Sequence, residues 1–148
     1  DLLLFEQIRV KIIDQKFFLD NTFSRKALMD EFNIPANKFA GLFRQFTGKS
    51  FSEYINDLRI EYVAELLLSG KYASVEELLK ECTFISSTSL YRLFTKKYGM
   101  TPQKFLRNAR LEFKEGFENL AKKVSKTTVA VFYRKITICE LIRRQTNI

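Results

Sequence analysis

Apolar residues return along this chain at helical spacing, in stretches broken by serine, glycine or proline. Residues 2 to 16 place Leu4, Ile8, Ile12 and Ile13 toward one side and so predict a helix. Ser24 then opens a short helix over about 25 to 32, because its hydroxyl can accept from the orphan N–H groups of a first turn. That helix is too brief to stand alone. The next begins near Ala36 and sets Phe39, Leu42, Phe43 and Phe46 on the i, i+3, i+4, i+7 stripe of a helix resting on a core. Gly48 supplies the left-handed residue that ends it. Ser50, with Glu53 three residues on, forms a capping box. From there "SEYINDLRIEYVAELLLSG" (52–70) meets no breaker until Gly70, and Tyr54, Ile55, Leu58, Tyr62 and Leu66 recur near 3.6, predicting one long helix.

The same phrase then comes round again. "GLFRQFTGKSFSEYI" (41–55) has a worn copy in "YRLFTKKYGMTPQKFL" (91–106). With a shift of 50, Ser24 meets Ser74, Leu28 meets Leu78 and Glu31 meets Glu81. Past residue 34 the shift is 51, so that Ile34 meets Ile85, Leu42 meets Leu93, Phe43 meets Phe94 and Gly48 meets Gly99. One residue has been added next to Phe84, and because insertions are tolerated in turns, the turns fall near Asn33 and Thr83. The second copy therefore reads as a helix over 75–82 and another from Ser87 carrying Leu90, Leu93 and Phe94, closed by Gly99. Thr101 caps the next helix, whose first turn tolerates Pro102. The expected fold is all-α: two helix-turn-helix subdomains, about 24–46 and 74–98, joined by a linker helix of about 52–69 within a domain of residues 1–110.

Residues 111–148 are a basic C-terminal extension without an assignment. "NARLEFKEGFENLAKKV" (108–124) keeps Phe113, Phe117, Leu120 and Val124 at helical spacing, so the last domain helix is expected to run on. "TTVAVFYRKITIC" (127–139) is β-branched and aromatic and reads as a strand.

Composition narrows the function. Apolar residues make up 46% of 148, with fifteen Phe and six Tyr, enough for a packed core. No apolar run approaches the ~20 residues of a membrane span, so no membrane contact is expected of this segment. The first residues mix charge among their apolar positions, unlike a signal peptide. The chain lacks an initiator Met, which suggests a piece of a longer protein. Two cysteines, Cys82 and Cys139, and no His give no metal-site spacing and remove the commonest general base. With no Gly-rich phosphate loop and no paired carboxylates, neither an enzyme nor a cofactor is expected.

Charge adds a sharper signal than its total of +8. Residues 1–106 hold 15 Lys/Arg against 13 Asp/Glu, a net of +2, and residues 107–148 hold 10 against 4, a net of +6, so bulk charge points at the tail. The local pattern points at the repeats. No acid lies between Glu31 and Glu53, where Lys38, Arg44 and Lys49 stand, nor between Glu81 and Glu112, where Arg92, Lys96, Lys97, Lys104, Arg107 and Arg110 stand. Segregation at the same place in both copies suits a surface that faces a polyanion. In helix-turn-helix readers the second helix enters the major groove and its N-terminal residues meet base edges. One chain with two such helices would grip one face of a duplex twice, and because the copies run head to tail, the site expected is an asymmetric pair of boxes.

Residues 3 to 106, about 70% of the chain, resemble the DNA-binding domain of the AraC/XylS transcription regulators. The resemblance is carried by "LYRLFTKKYGMTPQKF" (90–105), "FTGKSFSEYINDLRIEYVAELL" (46–67) and "SVEELLKECTFISSTSLYRLF" (74–94), in order and at family spacing. It implies promoter binding and regulation of transcription, activation rather than repression. It also implies RNA polymerase as a second partner, a sensor or dimerisation domain ahead of residue 1, and a cytoplasmic segment of a larger regulator, either soluble or membrane-anchored. Its base-facing positions fall on Asn37, Ala40 and Gly41 in the first unit and on Ser87, Thr88, Tyr91 and Arg92 in the second. Periodicity alone gives nearly the same set: 37, 40/41, 44 and 88, 91/92, 95 face away from the core stripe. Lys38, Arg44, Lys49, Ser50, Lys96 and Lys97 suit contacts to the DNA backbone, which position rather than specify.

The chain departs from the family at its turns, where Gly is usual and Asn33 and Thr83 stand. Asn tolerates the left-handed region, and β-branched Thr does so poorly. Met29, Leu79 and Val63 replace usual small residues, and Ala40 and Gly41 leave the first recognition helix short of hydrogen bonders. These departures define the rival expectation, a protein-interaction module on a helix-turn-helix scaffold that has lost specific DNA binding.

Overall fold

The computed structural model describes the backbone of residues 1–115 and the side chains through Leu111. Every regular element in that span is helical: α1 (Leu2–Asp14), a 3-10 turn (Phe17–Leu19), α2 (Arg25–Glu31), α3 (Ala36–Thr47), α4 (Phe51–Leu68), α5 (Val75–Glu81), α6 (Ser87–Tyr98) and α7 (Pro102–Glu115). Asp1–Pro102 is one compact unit, and a second begins at Gln103. The expected helices and the two helix-turn-helix pairs, α2–α3 and α5–α6, are all present. The strand expected over 127–139 lies outside the described residues, and α7 reaches Glu115 as the apolar spacing after Arg110 predicts.

Rings dominate the first core. Phe43 on α3 is fully buried. Its ring centroid lies 5.0 Å from Phe39, 5.2 Å from Phe51, 5.4 Å from Phe5 and 5.4 Å from Tyr54. Edge-on and tilted pairs of this kind let the positive rim of one ring meet the negative face of another. α1 closes this core with Phe5, Ile8 and Ile12. Here the expectation needs correcting: Ile13 is 38% exposed and Phe5 takes its place inside. Phe5, Ile8 and Ile12 form an i, i+3, i+7 set that Ile13 falls beside rather than within.

α4 also corrects its expected stripe. Ile55 belongs to the first core, whereas Ile60, Val63, Ala64 and Leu67 are buried further along. Tyr54, Leu58, Tyr62 and Leu66 are only half-buried. A helix that serves one core needs one apolar face. This one packs against α3 and the 3-10 turn and also against α5 and α6, so its apolar positions wrap around it. The second core sets Val75, Leu78, Leu90 and Phe94 in full burial, with Phe84 beside them.

The helix ends follow the sequence with two exceptions. Gly48 and Gly99 sit at φ 71° and 69°, closing α3 and α6. Ser50 accepts from the Glu53 N–H, and the Glu53 carboxylate accepts from the Ser50 N–H at 2.8 Å, completing the capping box. That bond from the Ser50 N–H, and one from the Ser50 hydroxyl, hold the Glu53 carboxyl below the usual carboxylate range. Ser74 caps α5 by accepting from the Glu77 N–H at 3.2 Å. Ser24, its counterpart, stands at the N-cap of α2 without a side-chain bond; its backbone carbonyl, instead, accepts from the Ala27 N–H at 3.1 Å. The turns differ too. Asn33 takes the left-handed region at φ 49°, but Thr83 does not, and the extra residue of the second copy gives that turn room to avoid a conformation Thr resists. The Asn21 side chain donates to the Thr83 carbonyl, fixing the second turn to the loop before α2.

Candidate nucleic-acid interface

A short helix can offer side chains outward only if its inner face is anchored. α3 buries Phe39, Leu42 and Phe43 and α6 buries Leu90 and Phe94, so each has a fixed outer face. On α3 that face carries Asn37, Gly41 and Arg44, all exposed, with Ala40 half-buried. On α6 it carries Ser87, Thr88, Arg92 and Thr95, exposed, with Tyr91 half-buried. None of the expected base-facing residues is buried, and within each helix they share one face.

The two faces differ in what they can offer a base edge. The Asn37 side-chain oxygen accepts from the Lys38 N–H at 2.8 Å, which leaves its NH2 as a donor. Gly41 is open: a Cβ placed there would meet nothing within 4 Å. No packing demand explains a glycine inside α3, where it costs about 1 kcal/mol relative to Ala. α6 brings two hydroxyls, a phenol and a guanidinium to the same positions. Ser86, immediately before α6, does the capping by accepting from the Ser89 N–H at 3.2 Å, so Ser87 and Thr88 are spared that task.

The cations expected at the DNA backbone divide into two groups. Arg44 is exposed, and neither its side chain nor that of Arg92, expected to face a base, makes a hydrogen bond or ion pair among the described residues. Lys96 is likewise exposed, and its field helps keep Glu53 ionised, behind the stronger hydrogen bonds from Ser50. The remaining three are paired. Lys38 Nζ lies 3.3 Å from the Asp1 carboxylate. Lys49 donates to Asp57, and that hydrogen bond raises the pKa of its ammonium. Lys97 Nζ lies 2.8 Å from Glu61 and 3.8 Å from Asp57. Ser50 is committed to the capping box through both its hydroxyl and its N–H.

Sequence reasoning missed these acidic partners. A signal was present: Glu53, Asp57, Glu61 and Glu65 recur every four residues, which places them on one stripe of α4. Reading charge in windows between acids concealed that a folded helix returns those acids to the bases. Elsewhere, Cys82 is buried and its thiol is pushed up to about 11 by desolvation, so it is an inert core group. Among the described residues no cluster of three or more His, Cys, Asp or Glu could hold a metal ion, and no helix is long and apolar enough to cross a membrane.

Comparison with known proteins gives a consistent answer. A family model described as a helix-turn-helix domain matches residues 28–112. An Escherichia coli K12 protein, the uncharacterized HTH-type transcriptional regulator YijO, is 33% identical over 104 residues, 70% of this chain and 35% of its own length. The HTH-type transcriptional activator RhaR of Yersinia pseudotuberculosis is 37% identical over 71 residues, 45% of this chain and 24% of its own. A solved structure of a protein of unknown function from Listeria innocua superposes with a TM-score of 0.53 at 29% identity, covering 68% of this chain and 93% of that one. The chain thus spans about a third or less of these two curated relatives.

Proposed function

We propose, from the premise that this chain belongs to the AraC-type helix-turn-helix family of transcriptional regulators, that it binds promoter DNA through α3 and α6 in successive major grooves. The observation that carries the proposal is the pair of anchored helices, each with an exposed polar or basic face and each held by one linker, α4.

In this reading Arg92 is the principal reader, because its guanidinium is exposed, uncommitted and able to form a bidentate pair with guanine. Ser87, Thr88 and Tyr91 share its groove. Asn37 donates its NH2 from α3, and Ala40 and Gly41 offer a close, side-chain-poor approach. Arg44 and Lys96 reach phosphates first, while Lys38, Lys49 and Lys97 must leave their acids to do so. Ser50 contributes by fixing the start of α4. The chain acts on transcription in the bacterial cytoplasm, as an activator with RNA polymerase as a partner, and answers to a sensing or dimerising domain elsewhere in the full protein. It carries out no catalytic step.

The test is a titration of the full chain with a promoter fragment and with scrambled duplex across a salt series. The function predicts that affinity falls steeply with salt on both and stays tighter on the promoter fragment that holds the site. Salt-independent or absent duplex binding would instead support the interaction-module alternative.

A further inference from the structure

One carboxylate on α4 meets a lysine from each helix-turn-helix pair. Lys49 lies just past the C-terminal end of α3, and its ammonium donates to Asp57 Oδ2. Lys97 lies in the last turn of α6, and its ammonium sits 3.8 Å from Asp57 Oδ1 and 2.8 Å from Glu61. The two lysines come from equivalent neighbourhoods of the repeat, 48 residues apart, yet they converge on a single acid of the linker. Asp57 is one-third exposed and Lys97 less so, while Lys49 remains half-exposed. The cluster is therefore at the surface, where water and a competing anion can reach it.

We propose that Asp57 is a built-in restraint on DNA binding, holding Lys49 and, alongside Glu61, Lys97 away from phosphates until a duplex displaces it. The inference rests on the DNA-binding function argued above and adds a positioning residue to it. Two opposing effects decide its sign. As a tie between the two pairs, the carboxylate orders both lysines, which would favour binding. As a negative charge against two phosphate-seeking ammonium groups, it must be pushed aside by a polyanion, which opposes binding. Exposed ion pairs contribute little order because they are screened and conformationally costly. An ammonium released to meet a phosphate displaces condensed counterions, a gain that the pairing with Asp57 withholds. The second effect wins, so neutralising Asp57 strengthens binding.

The test is Asp57→Asn in the full chain, titrated with random-sequence duplex at fixed moderate salt. Binding is expected to tighten about threefold to fivefold, the factor associated with one exposed ion pair that no longer has to open. Asp57→Ser, which removes the same charge with a smaller side chain, is expected to behave alike. In a Lys49→Gln, Lys97→Gln background the same change is expected to have no effect. Unchanged or weaker binding by both Asp57 variants would overturn the restraint, and so would undiminished tightening in the double-lysine background, since that would reflect net charge alone. Absence of duplex binding by the unaltered chain would overturn the function itself, and the restraint with it, whereas unaltered binding with inert Asp57 variants would overturn the restraint only.

Discussion

The two helix-turn-helix pairs share a plan and differ in both core and face. The first is packed with rings, Phe43 touching Phe5, Phe39, Phe51 and Tyr54. The second is packed mainly with branched chains, Val75, Leu78 and Leu90, around Phe84 and Phe94. Both cores nonetheless hold a 12-residue second helix closed by a left-handed glycine. Core chemistry can therefore drift so long as the apolar stripe keeps its spacing. The outer faces are under no such constraint, and there the pairs diverge: α3 presents Asn37, Ala40 and Gly41 where α6 presents Ser87, Thr88, Tyr91 and Arg92. The packing plan is repeated in this chain, and the outer faces are not.

The largest expected effect falls on α6. Arg92→Ala should remove about 1–3 kcal/mol of discrimination at one base pair, measured by titrating duplexes that differ only there. Asn37→Ala should cost much less, since part of that side chain already serves the Lys38 N–H. Equal losses from the two variants would erase the asymmetry between the faces, and equal loss for Arg92→Ala on specific and scrambled duplexes would make Arg92 a phosphate contact.

A smaller effect separates the caps. Ser74→Ala should lower unfolding free energy by about 1 kcal/mol, because the Ser74 hydroxyl accepts from the Glu77 N–H. Ser24→Ala, at the matching position, should change it by no more than a few tenths of a kcal/mol, since no side-chain bond is lost. Chemical denaturation of the two variants checks this directly, and a reversed order would mean that the first pair is capped as the second is.

Much of this architecture was legible in the sequence. The 50- and 51-residue shifts located both pairs and their turns, and the apolar stripes of α3 and α6 named the buried Phe39, Leu42, Phe43, Leu90 and Phe94 correctly. These features are local, and periodicity reports local structure well. What escaped were long-range matters. The burial of α4 on more than one side depends on elements that precede and follow it. The exchange of Ile13 for Phe5 depends on which side of α1 meets α3 and the 3-10 turn. Ser24 and Ser74 are identical in type and position and both stand in the extended region, yet only Ser74, with Glu77 three residues on where Ser24 has Ala27, accepts a capping bond. The pairing of Lys49 and Lys97 with Asp57 joins residues 8 and 40 positions apart, which a count of charges in windows does not see.

The central claim is that one chain carries two unequal grips set a fixed distance apart by α4. Selection of bound sequences from random duplexes by the full chain tests it most directly. The account predicts two boxes about one DNA turn apart, in an asymmetric order, with the box under α6 defined more sharply than the box under α3. A single box, a palindrome or no enrichment at all would contradict it.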